Sequence, residues 1–202
     1  MPAFRTLFAT RLYSASLNRR RNPALEKTCL AIAAEDKAGR RWAKSHGYGG
    51  YTSYASLDDL TRRASVFAEL EGDIAKHVAI FVRDAEFDLG RRKPVVDSLW
   101  LNVMEKGAVH AAHLHPHAVI SGTYYVTAPK DAGAIRFEDP RLAMLMAAPP
   151  KKTNARPENR TFVTVAPKPG LLLLWESWLR HGVDANAAKT PRISVSFNYR
   201  MD

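Results

Sequence analysis

The sequence has almost no cysteine. Cys29 stands alone among 202 residues, which excludes an internal disulfide and any zinc-knuckle spacing. A single thiol suits a reducing cytoplasm, and that is the compartment we expect. Long hydrophobic runs are missing too. No apolar stretch approaches the roughly 18 residues of a membrane-spanning helix, so no membrane partner is expected. Acidic residues are few, with 20 Asp and Glu against 30 Lys and Arg, for a formal net charge of +10. A basic surplus raises the question of nucleic acid. Here it is dispersed. Its densest cluster is Arg19-Arg20-Arg21, and no basic stripe with interleaved aromatics follows. We therefore expect a solvated basic surface and no nucleic-acid partner.

The two halves carry different periodicities. Phe4, Leu7 and Phe8 suggest an opening strand. Asn22 with Pro23 behind it has the form of a helix cap. Leu25, Cys29, Ile32 and Ala33 mark one helical face, and Gly39 offers a stop. Gly47 to Tyr54 is rich in Gly, Tyr and Ser without a period, so it reads as a loop. Ser56 with Asp59 three residues on gives a second start signal. From there Phe67, Leu70, Ile74, Val78 and Phe81 recur at the spacing of a long amphipathic helix. From Val95 onward, short apolar runs cut by Gly, Pro and Asp predict about eight strands, the pattern of a sandwich or barrel. Arg141 to Arg160 is basic, unpatterned and proline-bearing, the composition of a long loop able to serve as a lid.

The chemistry concentrates in two places. His110, His113, His115 and His117 are four of the seven histidines and fall within eight residues. Residues two apart on a strand share a face, so His113 and His115 project together, as a metal ion requires of two imidazoles. Pro116 would end the ladder and put them at a strand end. A chance cluster on a surface strand is the alternative. The second place is a strongly apolar strand followed by His181, with Arg192 eleven residues later. There Arg192, Ser194, Ser196 and Asn198 alternate with Ile193, Val195 and Phe197. The polar face either meets solvent or lines a cavity in which an Arg and a Ser two apart reach one carboxylate.

The order His113-Leu114-His115-Pro116, Ser121-Gly122 through Tyr124-Tyr125-Val126, Asp139-Pro140-Arg141, His181 and Arg192-Ile193-Ser194 resembles the iron(II)/2-oxoglutarate-dependent oxygenases. It is most similar to a bacterial group of undefined substrate. The resemblance implies an α+β fold: a double-stranded β-helix, or jelly-roll barrel, with supporting N-terminal helices. It implies one domain over 1–202, with 1–94 as a mainly helical support and 95–202 as the barrel core. Carried over by position, His113, His115 and His181 would hold Fe(II). Arg192, Ser194 and Tyr125 would bind 2-oxoglutarate as co-substrate. The implied activity is oxidation of an unknown substrate with release of succinate and carbon dioxide. That substrate would be a small molecule or peptide, and an anionic one if the basic loop guides it.

His115 stands where this family usually has Asp or Glu, and Glu138, Asp139 and Asp184 are the carboxylates that could substitute for it. His110 and His117 suit supporting or substrate-contacting roles. Trp175, Trp178 and Tyr124 read as packing residues, and Cys29 as an inert core thiol. Two other readings compete: a cupin-like three-histidine metalloprotein that does not use 2-oxoglutarate, and a non-catalytic metal-binding sensor. Arg192 separates the oxygenase from the cupin-like protein, because the latter has no need of an arginine at that spacing.

Overall fold

A computed structural model describes residues 3–202 apart from Leu142, Met144 and Leu145, which belong to the basic loop. The strands are β1 (Leu12–Ser16), β2 (Tyr51–Thr52), β3 (Pro94–Met104), β4 (His110–His113), β5 (Ile120–Thr127), β6 (Ile135–Glu138), β7 (Phe162–Val165), β8 (Leu171–Glu176), β9 (His181–Val183) and β10 (Arg192–Met201). The helices are α1 (Asn22–Glu35), α2 (Lys37–Ser45) and α3 (Ser65–Asp84). Among the described residues no helix is long and apolar enough to cross a membrane.

Two antiparallel sheets form a double-stranded β-helix. The larger has the order β1-β8-β5-β10-β3-β2 and the smaller β4-β9-β6-β7. The region before residue 95 therefore does more than support the barrel, since β1 and β2 close the two edges of the large sheet. The sheets face each other across a core in which Tyr125, Leu173 and Trp175 of the large sheet meet Ile135 and Phe137 of the small one.

The period-2 alternation sorts every central strand of the large sheet. In β10, Ile193, Val195, Phe197 and Tyr199 face the helices, where Leu25 and Cys29 of α1 and Phe67, Leu70, Ile74, Val78 and Phe81 of α3 cover them. The alternate residues Arg192, Ser194 and Ser196 face the barrel interior. The same division puts Tyr124 among the helices and Tyr125 inside. Gly122 is required on the helix side of β5, because a Cβ there would overlap the ring of Phe197.

The eight strands expected after residue 95 are all present. The helix boundaries differ from expectation, each for a tertiary reason. Asn22 does not cap α1: its side chain is buried, donating to Val126 O at 2.7 Å and accepting from the Tyr124 hydroxyl at 2.6 Å. The first helix stops at Asp36, and Gly39 lies inside α2, whose start Asp36 caps by accepting from Ala38 N and Gly39 N. The long helix begins at Ser65 and not near Ser56, whose hydroxyl donates to Asp36 at 2.5 Å. Phe4, Leu7 and Phe8 precede β1 and are exposed.

Candidate metal centre

His113 is the last residue of β4 and His181 the first of β9, and the pairing of these strands sets them directly opposite each other. His115 lies past the end of its strand. Its backbone N–H donates to Ser177 O at 3.2 Å, and this bond returns the ring to the same side as His113. One ring nitrogen from each of the three residues falls within 4.8 Å of the other two. The Nε2 atoms of His115 and His181 are 3.3 Å apart. His113 Nδ1 lies 2.8 Å from Ala111 O, and His181 Nδ1 lies 2.9 Å from Leu179 O. A carbonyl only accepts, so each Nδ1 carries the proton and each Nε2 keeps a free lone pair. Backbone carbonyls that fix tautomer and ring orientation in this way are the usual support of a metal-binding imidazole.

The electrostatics favour the same state. Burial pushes His181 down to about 3, with the neighbouring His113 adding to the effect. His115 falls to about 4, again through burial first and His113 second. These rings stay neutral at pH 7 and present lone pairs, which is the form a cation binds.

No carboxylate joins the cluster among the described residues. Glu138 is paired with Arg180 at 2.9 Å, and Asp139 with Arg141 at 2.8 Å within its turn. Asp184 is turned toward Arg136, 3.9 Å away. His110 lines the same cavity, stacked on His113 at 4.1 Å between centroids. His117 is exposed and takes a left-handed backbone with φ 70°.

The cavity beside the histidines is narrow, about 40 Å³, and Arg192, Ser194 and Tyr125 all line it. Arg192 is only 4% exposed. Its Nη1 donates to Gly133 O at 3.0 Å, and its guanidinium carbon lies 5.7 Å from the centroid of Tyr125. Its Nε is buried with no hydrogen-bond partner. Gly133 must lack a side chain, because a Cβ there would overlap the backbone of Asp184. Burial pushes the Tyr125 hydroxyl up to about 12, so it remains a proton donor.

Three further cavity residues were given no site role from the sequence. Tyr48 reaches in from the Gly-Tyr-rich loop, with its hydroxyl 3.4 Å from Asn102 Oδ1 and its ring edge-on to His110. Asn102 in turn donates to Ser196 Oγ at 3.2 Å. Trp100 lies 5.8 Å from the ring of His115. Alternation along Trp100-Leu101-Asn102 carries a signal for two of them. Tyr48 sits in an aperiodic loop and carries none.

The two tryptophans near His181 part company. Trp175 is buried, edge-on to Phe137 and His181, as a packing residue should be. Trp178 is 48% exposed, because it lies in the crossing between β8 and β9, where no sheet alternation applies. The basic loop leaves β6 at Glu138, one residue beyond the partner of His181, and so emerges at the histidine end of the barrel. Its two ends, through Arg141 and Arg160, help to line a second cavity of about 310 Å³ that also touches Leu12, Phe137 and Leu179.

Comparison with known proteins places this geometry in context. No curated protein matches the sequence. A Pseudomonas putida prolyl-4-hydroxylase is 16% identical, over 95% of this chain and 93% of that one, with a TM-score of 0.64. The epimerase SnoN of nogalamycin biosynthesis, crystallised with Fe3+, alpha-ketoglutarate and nogalamycin RO, is 17% identical over 94% of this chain and 78% of that one, with a TM-score of 0.66. An oxidoreductase of the 2OG-Fe(II) oxygenase family from Burkholderia pseudomallei is 19% identical. There this chain aligns over 54% of its own length and spans 46% of the other, with a TM-score of 0.41. At such identities the structures establish the fold alone. The family evidence is separate: the profile described as "Putative 2OG-Fe(II) oxygenase" matches residues 98–198, half of the chain, from β3 to β10. The chain belongs to this family of 2-oxoglutarate- and iron(II)-dependent oxygenases.

Proposed function

We propose that His113, His115 and His181 hold the iron of this oxygenase, and that Arg192, with Ser194 and Tyr125, holds its 2-oxoglutarate. The observation that carries the reading is Arg192: a buried guanidinium with an unpartnered Nε, in the same narrow cavity as three convergent imidazoles. A buried cation without a carboxylate is costly, and a bound dicarboxylate relieves that cost. The iron, when bound, supplies activation of dioxygen while 2-oxoglutarate is converted to succinate and carbon dioxide. The chain does the rest. Ala111 O and Leu179 O hold two imidazoles in the ligating tautomer. Arg192 and Ser194 orient the distal carboxylate, and the aromatic walls Trp175, Phe137 and Tyr125 keep water out.

The substrate is a small molecule or peptide. An anionic one is favoured by Lys151, Lys152 and Arg156 in a loop rooted beside His181. The chain works as one domain, and its lone buried thiol suits the cytoplasm. The absence of a carboxylate among the three clustered ligands favours a second reading, the cupin-like metalloprotein without 2-oxoglutarate. Anaerobic titration with iron(II) and then 2-oxoglutarate separates the two. The oxygenase develops the weak visible charge-transfer band of a chelated complex. Iron binding with no band on adding 2-oxoglutarate selects the cupin-like protein.

A further inference from the structure

The three imidazoles are not secured alike. Ala111 O and Leu179 O each fix a ring nitrogen, of His113 and His181 respectively, and these two residues stand opposite each other in the β4–β9 pairing. His115 has neither support. It lies beyond the end of β4, and among the described residues its ring makes no hydrogen bond except toward His181. Its backbone therefore has to aim it. That backbone is wrapped around Ser177: Ser177 O accepts His115 N–H at 3.2 Å, and Ser177 N donates to Val119 O at 3.0 Å. Between these bonds Ala118 N closes a turn on His115 O at 3.4 Å, with Pro116 second and His117 third at φ 70°.

Ser177 is held in turn from the large sheet. Asn198 of β10 pairs with Ser98 of β3 on one side and Ser121 of β5 on the other, so the three form a polar row across the interior face. All three are buried, as is Ser177. The Ser177 and Ser121 hydroxyls are 2.8 Å apart, Ser121 Oγ lies 2.8 Å from Asn198 Oδ1, and Asn198 Nδ2 donates to Ser98 Oγ at 3.1 Å. An amide oxygen only accepts, so Ser121 donates to Asn198 and its own oxygen accepts from Ser177. The chain runs one way, from Ser177 to Ser98. Buried polar groups cost free energy unless paired, and a fully paired row fixes one arrangement of its members. We propose that Ser121 and Asn198 are positioning residues of the metal centre: through Ser177 they set the backbone that aims His115. This rests on His115 being a metal ligand.

Cobalt(II), whose visible bands report the geometry of its ligands, is titrated calorimetrically into the full metal-free chain. Ser177→Ala, Ser121→Ala and Asn198→Ala should each weaken cobalt(II) about tenfold and shift its bands. Ser177→Ala is the mildest of them, since every remaining buried donor keeps its acceptor, and it should fold even where the other two do not. Ser177→Thr keeps the hydroxyl and should bind as the wild type does. In a His115→Ala background the same three changes should alter affinity less than about twofold, because the ligand they aim is gone. A merely structural row would weaken binding equally in both backgrounds. That result, or wild-type affinity and bands in the three alanine variants, would overturn the proposal. His115→Ala binding cobalt(II) as tightly as the wild type would refute His115 as a ligand, and the metal assignment with it. A loss in His115→Ala beside unchanged alanine variants refutes the positioning alone.

Discussion

Replacing Arg192 by Met exchanges a buried guanidinium for an apolar side chain of similar length, and two effects of opposite sign follow. In the ligand-free protein, Arg192 carries a charge with only the Gly133 carbonyl as a fixed partner and one nitrogen unsatisfied, and burial lowers its affinity for the proton. Removing an uncompensated buried charge in favour of packing is commonly neutral or stabilising. Arg192→Met should therefore melt no lower than the wild type without ligand. With 2-oxoglutarate the sign reverses. Two charge-assisted hydrogen bonds at about 1.5 kcal/mol each amount to about 3 kcal/mol, or roughly 150-fold in Kd.

Thermal melting in the presence of zinc(II) reads both effects at once. At 2-oxoglutarate one hundred times the wild-type Kd, ligand binding stabilises the wild type by about 2.7 kcal/mol, roughly 5–11 °C for a chain of this size. The variant, then below its own Kd, should shift by only about 1 °C. Wild-type-like stabilisation of Arg192→Met by 2-oxoglutarate would refute the role given to Arg192. A ligand-free variant destabilised by several kcal/mol would refute the account of its charge.

Three other outcomes are expected. Ile74→Asp should unfold the protein, because Ile74 has no exposed surface between α3 and the large sheet and an unpaired charge there costs more than about 4 kcal/mol; a folded variant by circular dichroism would show that face to be free. The metal-free protein should lose stability as pH falls from about 6.5 toward 4. Unfolded histidine takes up a proton near 6.5 while folded His181 resists until about 3, so the unfolded chain binds more protons in that window and His181 alone contributes up to about 1.4 kcal/mol per pH unit; urea midpoints unchanged between pH 7 and 5 would contradict this. Neutralising Lys151, Lys152 and Arg156 together should weaken capture of an anionic substrate at low salt and matter less at high salt, with the iron(II)–2-oxoglutarate band unaltered; a salt-independent loss would argue against electrostatic guidance.

How much of this was legible in the sequence depends on what sets each residue's direction. Where a sheet sets it, alternation sorted the residues into faces, although it left open whether the polar face of the last strand met solvent or a cavity. Tyr124 and Tyr125 were separated correctly, and Arg192 and Ser194 lie in the cavity with the histidines, because a ladder fixes every second side chain on one face. The helix starts misled because a cap signal is local, whereas the side chains concerned were bound elsewhere. Asn22 serves Tyr124 and Val126 across the chain, and Ser56 serves Asp36, whose carboxylate is the cap that divides α1 from α2. The isolated signal was the right chemistry with the wrong partner.

The loop positions around the site were less legible, for a related reason. Tyr48, Tyr54 and Trp178 lie outside regular strands, so no period orients them, whereas His115, also past the end of its strand, was marked by its spacing from His113. Individual tertiary contacts place them: Met104 and Asn102 meet the Tyr48 hydroxyl, Trp100 meets the Tyr54 ring and Ser177 O holds the His115 backbone, while Glu176 secures Trp178 from within its own crossing. The barrel interior is thus specified by repetition and these loop positions by individual tertiary contacts. A substitution at Tyr48, Tyr54 or Trp178 can redirect one side chain without disturbing the β4–β9 pairing that sets His113 opposite His181. Substrate preference can therefore vary in this fold at little cost to the histidine and arginine machinery beneath it.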